Sequence, residues 1–260
     1  GTVQFGLDYG VINQRGQVTI EEVNNILDFA KDNGVRVLDT ASNYGNSEKI
    51  LGDIGVNDFQ IITKTTSSKD GVNGIIKGFN QSLERLNRKT VDGLLIHNIE
   101  EVESKQFEFI FKELTELKQQ GLIKKIGFST YTPEQVDFVL KNFDFDLIQV
   151  PFNVFDTRLL QGGQLQRLKN KGVEVHARSV FLQGILLDFD NLSDYFSTWK
   201  GQFIEYQIMT KERGLSLLEY ALNFVLAIQE IDRVLVGVNS ELQLKGILQA
   251  INKRSDLSAY

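Results

Sequence analysis

The chain contains no cysteine, only two histidines, and no apolar run long enough to cross a membrane. Each absence closes a class of function. Without cysteine there are no disulfides, thiolate metal sites or cysteine nucleophiles, a composition that fits the cytosol. His97 and His176 alone make a histidine-built metal centre a poor reading. The nearest thing to a membrane span, LLEYALNFVLAI (217–228), falls short of the roughly 18 residues required and carries Glu219 and Asn223. No basic block stands out and the net charge is −6, so neither nucleic acid nor an anionic membrane surface is an expected partner. The opening residues TVQFG lack a signal-peptide pattern, and a cytoplasmic protein is expected.

What remains is ordinary globular composition: 260 residues, 42% hydrophobic and 24% charged, enough to bury a substantial core. Short apolar runs alternate with helical periodicity. Expected strands cover 2–6, 35–39, 59–64, 93–97, 124–129, 146–150, 173–178 and 233–237. Between them, IEEVNNILDFAKDNG (20–34) places Ile20, Val23, Ile26, Leu27 and Ala30 on one helical face. Thr19 precedes it as an N-cap and Gly34 follows as a helix stop. Helices are also expected at 109–121, after Thr132-Pro133, and at 162–172 and 214–229. Strands such as GLLI and LIQV are apolar on both faces, as strands covered by helices are.

Eight strands alternating with helices over this length predict a single (β/α)8 TIM barrel, class α/β, spanning 1–260. The rival is an open doubly wound sheet. It calls for a glycine-rich fingerprint after the first strand, and GLDYG (6–10) lacks both the spacing and an immediate helix. The connection 179–213 reads as a long irregular excursion over the barrel mouth rather than a second domain.

In such a barrel, function gathers where the strands end. Asp39 in VLDTASNYG, Lys64 in FQIITK and His97 in DGLLIH each close an expected strand, and Tyr44 follows Asp39 by five residues. Ser129, Gln149 and Arg178 fall at or near further strand ends. A phenol, an ammonium, a carboxylate and an imidazole in one pocket can protonate a carbonyl oxygen as hydride arrives. A free tyrosine has a pKa of about 10, and a nearby lysine cation lowers it. Asp39 can hold that cation, His97 can orient the substrate oxygen, and Tyr44 can deliver the proton. Taken singly, each residue also has a plainer reading: a turn-capping aspartate, a solvated lysine, a structural histidine, a loop aromatic. Their convergence at consecutive strand ends is what favours chemistry.

LDTASNYGNSE (38–48), IITK (61–64), LLIH (94–97) and IGFS (126–129) resemble the signatures of the aldo-keto reductases, in the same order. The resemblance runs from TVQFG to GVNSELQL (237–244). It implies a (β/α)8 barrel that reduces a small-molecule carbonyl with NADP(H), with Asp39, Tyr44, Lys64 and His97 as a catalytic tetrad. It also implies that Ser129 and Gln149 contact the nicotinamide carboxamide. The loop and helix 237–247, with Gly237, Asn239, Ser240 and Gln243, would then hold the adenosine phosphate. Three departures stand out. Ser129-Thr130 replaces the usual Ser-Asn, and Arg178 replaces the aromatic residue that usually stacks on the nicotinamide. Gly237 and Gln243 replace the usual basic phosphate-binding residues, which leaves NAD(H) open beside NADP(H). The run ARSVFLQGILL, with VPFNVFD (150–156), is similar to a branch linked to bacterial surface polysaccharides, which points to a sugar-linked substrate. A weakly active or regulatory cofactor-binding barrel is one alternative, and a metal-dependent barrel hydrolase is another. A monomer or weak homo-oligomer is expected.

Overall fold

The computed structural model describes residues 1–67, 71–99, 106–189 and 192–252. Seven parallel strands form one sheet in chain order, each bonded to the next: β1 (Val37–Asp39), β2 (Gln60–Lys64), β3 (Val91–Ile96), β4 (Ile123–Ser129), β5 (Leu147–Pro151), β6 (Glu174–Arg178) and β7 (Arg233–Val234). Helices α1 (Val3–Gly6) and α2 (Ile20–Asp32) precede β1. α3 (Ser47–Ile54), α4 (Gly71–Arg85), α5 (Gln106–Gln119) and α6 (Pro133–Asn142) follow the first four strands in turn. α7 (Arg158–Gln161) and α8 (Gln164–Asn170) follow β5, α9 (Lys200–Glu212) and α10 (Leu217–Leu226) lie between β6 and β7, and α11 (Glu241–Asn252) comes last. All strands run the same way, so every strand ends at the same rim. The fold is α/β, a parallel sheet curled as in a (β/α)8 barrel.

Local chemistry explains the helices the sequence foretold. Thr19 accepts the Glu22 N–H at 3.3 Å, and Val23, Ile26, Leu27 and Ala30 of α2 are buried. Thr132 caps α6 with Pro133 in its first turn, and Ser216 with Glu219 forms a reciprocal capping box on α10. The core has two layers. Ile62, Leu95 and Leu147 make a small apolar plug with Val37 against it, while the main core lies between the strands and the helices.

Two expectations are corrected. Residues 2–6 do not form a strand. The Thr2 N–H and hydroxyl both donate to Asp39 O, at 2.9 and 3.0 Å, and the Gly1 nitrogen lies 2.8 Å from Val236 O. These two residues bridge β1 and the segment just after β7, and the Phe5 N–H then turns back to Thr2 O to start α1. The segment 179–213 is also more regular than expected. It contains 3-10 turns at Leu182–Gly184 and Asp194–Trp199, and then the thirteen-residue α9. The apolar residues of α9 do not share one face: Phe203 and Tyr206 are buried, whereas Ile204 and Ile208 are exposed. The usual amphipathic signal is therefore missing. The helix is held instead by aromatic contacts, Phe203 to Phe155 in the loop after β5 and Phe203 to Phe189. No helix among the described residues is long and apolar enough to cross a membrane.

Candidate active site

Asp39 ends β1 and Lys64 ends β2, and the pairing of Asp39 with Ile62 sets them side by side. Lysine is rarely buried without a partner, yet Lys64 is 1% exposed and Asp39 is 4% exposed. The Lys64 ammonium donates to Asp39 Oδ1 at 2.7 Å and to the Thr40 carbonyl at 2.9 Å. Burial works against both charges, but the pairing outweighs it. The Asp39 carboxyl lies below its ordinary pKa and the Lys64 ammonium above its own, so both groups are ionised at neutral pH.

Tyr44 stands over this pair, with Lys64 Nζ 5.0 Å from its ring centre. The turn that carries it is fixed by a close approach of two glycines. A Cβ on Gly6 would lie 1.8 Å from Tyr44 O, and a Cβ on Gly45, at φ +53°, would lie 2.3 Å from Gly6 O. Only hydrogen fits at these two positions. Burial pushes the Tyr44 phenol above its ordinary pKa, and the Lys64 cation pulls it back only in part. The sequence had suggested a net lowering, and the depth of the site reverses the sign. The phenol therefore keeps its proton at neutral pH, and the nearby Lys64 cation is placed where it would stabilise a phenolate.

His97 sits just past β3 and meets the Tyr44 ring edge-on, with centroids 5.9 Å apart and planes at 80°. Burial first, then the Lys64 cation, lower its pKa to about 4. The imidazole is neutral at pH 7 and carries one N–H. Its Nδ1 is buried and has no partner among the described residues.

The structure brings Ser129, Gln149 and Arg178 to the same rim. Ser129 pairs with Gln149 across β4 and β5, and both are buried. The Gln149 side-chain amide donates to Asp39 Oδ2 across the sheet interior. Next to them is Thr130, which sequence reasoning noted only as a departure. It is fully buried, its N–H donates to Gln149 O at 2.9 Å, and its hydroxyl has no partner among the described residues. Arg178 ends β6 and donates to Thr130 O at 3.0 Å and to Ser179 Oγ at 3.3 Å, with its guanidinium 4.2 Å from the Tyr131 ring centre.

Gly237, Asn239, Ser240 and Gln243 gather separately, between β7 and the first turn of α11. The Asn239 N–H donates to Gln243 Oε1 at 2.7 Å, and Ser240 Oγ accepts the Gln243 N–H at 3.2 Å. Gly237 admits the Gln4 side chain, which a Cβ would meet at 2.4 Å. Glu22 of α2 is an unforeseen member: its carboxylate accepts the Glu241 N–H at 2.7 Å. Glu48 is another. It is 1% exposed, receives the Thr63 hydroxyl at 2.6 Å and Arg85 Nε at 2.8 Å, and braces the strand that presents Lys64. Its only signal in the sequence was its place in LDTASNYGNSE.

A model described as "Aldo/keto reductase family" matches residues 1–259. The chain is 29% identical to the uncharacterized oxidoreductase YqkF of Bacillus subtilis (strain 168) over 88% of its own length and 82% of the relative's. It is 28% identical to L-galactose dehydrogenase of Arabidopsis thaliana, covering 86% and 76%, and 25% identical to L-glyceraldehyde 3-phosphate reductase of Escherichia coli O157:H7, covering 95% and 84%. Among solved structures, the holo form of an aldo-keto reductase from Bacillus halodurans superposes with a TM-score of 0.76 at 20% identity, covering 98% of this chain and 93% of that one. A glycerol dehydrogenase from Gluconobacter oxydans gives 0.75 at 22% identity, covering 98% and 86%.

Proposed function

The chain belongs to the aldo/keto reductase family, and we propose that it reduces an aldehyde or ketone to an alcohol with a nicotinamide dinucleotide as reductant. One observation carries the reading: a buried ammonium, pinned by a buried carboxylate, lies beneath a protonated phenol with a neutral imidazole at its edge. The substrate oxygen fits between Tyr44 and His97. Tyr44 gives its proton to that oxygen, Lys64 stabilises the phenolate left behind, and Asp39 holds Lys64 in place. The His97 N–H orients the oxygen without competing as an acid, because its pKa lies near 4.

The residues present suit the cofactor. Thr130 offers a buried hydroxyl with no described partner, beside Ser129 and the remaining polar capacity of Gln149, and these three would hold a carboxamide. Gly237, Asn239, Ser240 and Gln243 would hold the adenosine end. When bound, the nicotinamide supplies the hydride. No lysine or arginine stands between residues 237 and 243, and Glu22 and Glu241 both lie at that turn. A 2′-phosphate therefore gains little there, and both NADP(H) and NAD(H) are expected to bind. The plant and E. coli relatives are named for L-galactose and L-glyceraldehyde 3-phosphate, which favours a sugar-like carbonyl here.

Tyr44→Phe tests the proposal. The ring stays and cofactor binding should hold, while turnover falls by about 100- to 10,000-fold, the usual cost of losing general acid catalysis. A variant that reduces carbonyls at the wild-type rate would overturn the role given to Tyr44.

A further inference from the structure

We infer that Arg178 receives an anionic group of the substrate, so that the carbonyl compound reduced here carries a phosphate or carboxylate near its reacting carbon. The inference rests on the reductase reading above and adds the charge of the substrate to it.

Several arginines of this chain meet a carboxylate, among them Arg85, Arg158 and Arg167. The chain has 34 acidic residues, yet among the described residues Arg178 contacts none. Its partners are a backbone carbonyl, a hydroxyl and an aromatic face. A guanidinium has five N–H donors in a fixed fork, and its two hydrogen bonds to described residues leave donors for a further acceptor. A partly buried cation without a counter-charge is costly unless an anion arrives. Arginine suits that task, because its planar fork matches phosphate and carboxylate oxygens in pairs.

The position is also built. Arg178 ends β6 but reaches past β5 to the carbonyl of Thr130. Thr130 donates to Gln149, and Gln149 donates to Asp39. The guanidinium thus stands two hydrogen-bonded residues from the Asp39–Lys64 pair. The residue after it, Ser179, is held at φ +60°, a conformation unusual for a side-chain-bearing residue, and its carbonyl accepts Asn153 Nδ2 at 3.1 Å. Strain of this kind persists where the surroundings over-determine a geometry. The Arg178 charge also acts on Tyr44, His97 and Tyr9, which places it on the reacting side of the mouth. Asp39 neutralises Lys64, so Arg178 is the cation at this rim with no carboxylate beside it among the described residues, and an unpaired cation in a cleft concentrates anions.

The test compares D-glyceraldehyde with D-glyceraldehyde 3-phosphate, and butyraldehyde with succinic semialdehyde. Wild type, Arg178→Gln and Arg178→Lys are each measured for kcat/KM and for NADH and NADPH affinity by titration. Wild type should favour at least one anionic member by about tenfold or more, and the better pair tells phosphate from carboxylate. Arg178→Gln should remove about tenfold or more of that preference through KM, a loss typical of a charged hydrogen bond. It should cost the neutral aldehydes and the cofactor affinities several-fold less than it costs the anionic members, and Arg178→Lys should recover part of the anionic loss. Equal losses on neutral and anionic substrates, or a change confined to cofactor affinity, would overturn the inference in favour of packing or stacking. If wild type reduces no carbonyl, the reductase reading fails on its own. Calorimetry of the protein with glycerol 3-phosphate and with succinate then decides the inference: binding lost in Arg178→Gln upholds it, and no binding by wild type sinks it.

Discussion

Lys64 is a surface-type residue in an interior place, and its isolation makes its chemistry predictable. Removing one partner of a buried ion pair leaves the other uncompensated, typically at about 3–5 kcal/mol. Lys64→Met should therefore lose both turnover and stability, read by urea unfolding. Asp39→Asn combined with Lys64→Met should cost less than the sum of the single changes, as groups that share one interaction do. His97 gives a prediction in pH. Its folded pKa of about 4 lies below its ordinary 6.5, so between these values the unfolded chain binds a proton that the folded chain refuses. The stability tied to the neutral imidazole is present above pH 6.5, declines as pH falls, and is fully lost below about pH 4. Urea midpoints of wild type and His97→Gln, compared from pH 7 to pH 4, should converge on acidification. A constant gap between them would show that His97 does not titrate in this way. At this scale the sequence was informative: the four catalytic candidates were visible because each polar side chain interrupts or follows an apolar run. The sign of the Tyr44 shift was not visible, because burial depth is a property of the assembled fold.

At the scale of elements, the legible ones were those with a period and a cap. Helix α2 and the strands β2 to β6 follow their patterns within a few residues. Helix α1 was misread because TVQFG alternates like a strand, while its hydrogen bonds go to Asp39 and back to Thr2. Helix α9 was missed because aromatic contacts with other segments, rather than a face of its own, hold it in place. Links that depend on register, such as Arg178 to Thr130, leave no trace in sequence spacing. The contact between α1 and the Tyr44 turn yields a prediction. Gly6→Ala forces a Cβ into Tyr44 O, so the turn must shift. Activity should fall by at least about tenfold, because small misplacements of reacting groups are expensive, and the melting temperature should drop as well. A variant with normal kcat would show that the turn adapts. The first turn of α11 yields another. Glu22→Gln removes a carboxylate from the helix start, and should tighten NADPH several-fold more than NADH in paired titrations. Equal effects on both cofactors would make Glu22 a cap and nothing more.

At the scale of the whole molecule, each strand pairs only with its chain neighbours, so most of the barrel can be assembled piecewise from local units. The amide of Gln149 breaks that rule. It reaches Asp39, 110 positions earlier in the chain, and so joins the first strand to the fifth through the interior. Contacts this distant in sequence form late, because the loop-closure entropy comes first. The Asp39 carboxylate is therefore not fully set by the segment that encodes it. During refolding from denaturant, secondary structure should return before turnover does, and Gln149→Leu should widen that interval. Enzymatic activity becomes a clock for the closing of the barrel, and an amino-terminal half made alone, with β1, β2 and β3 intact, should hold every member of the tetrad and still be silent.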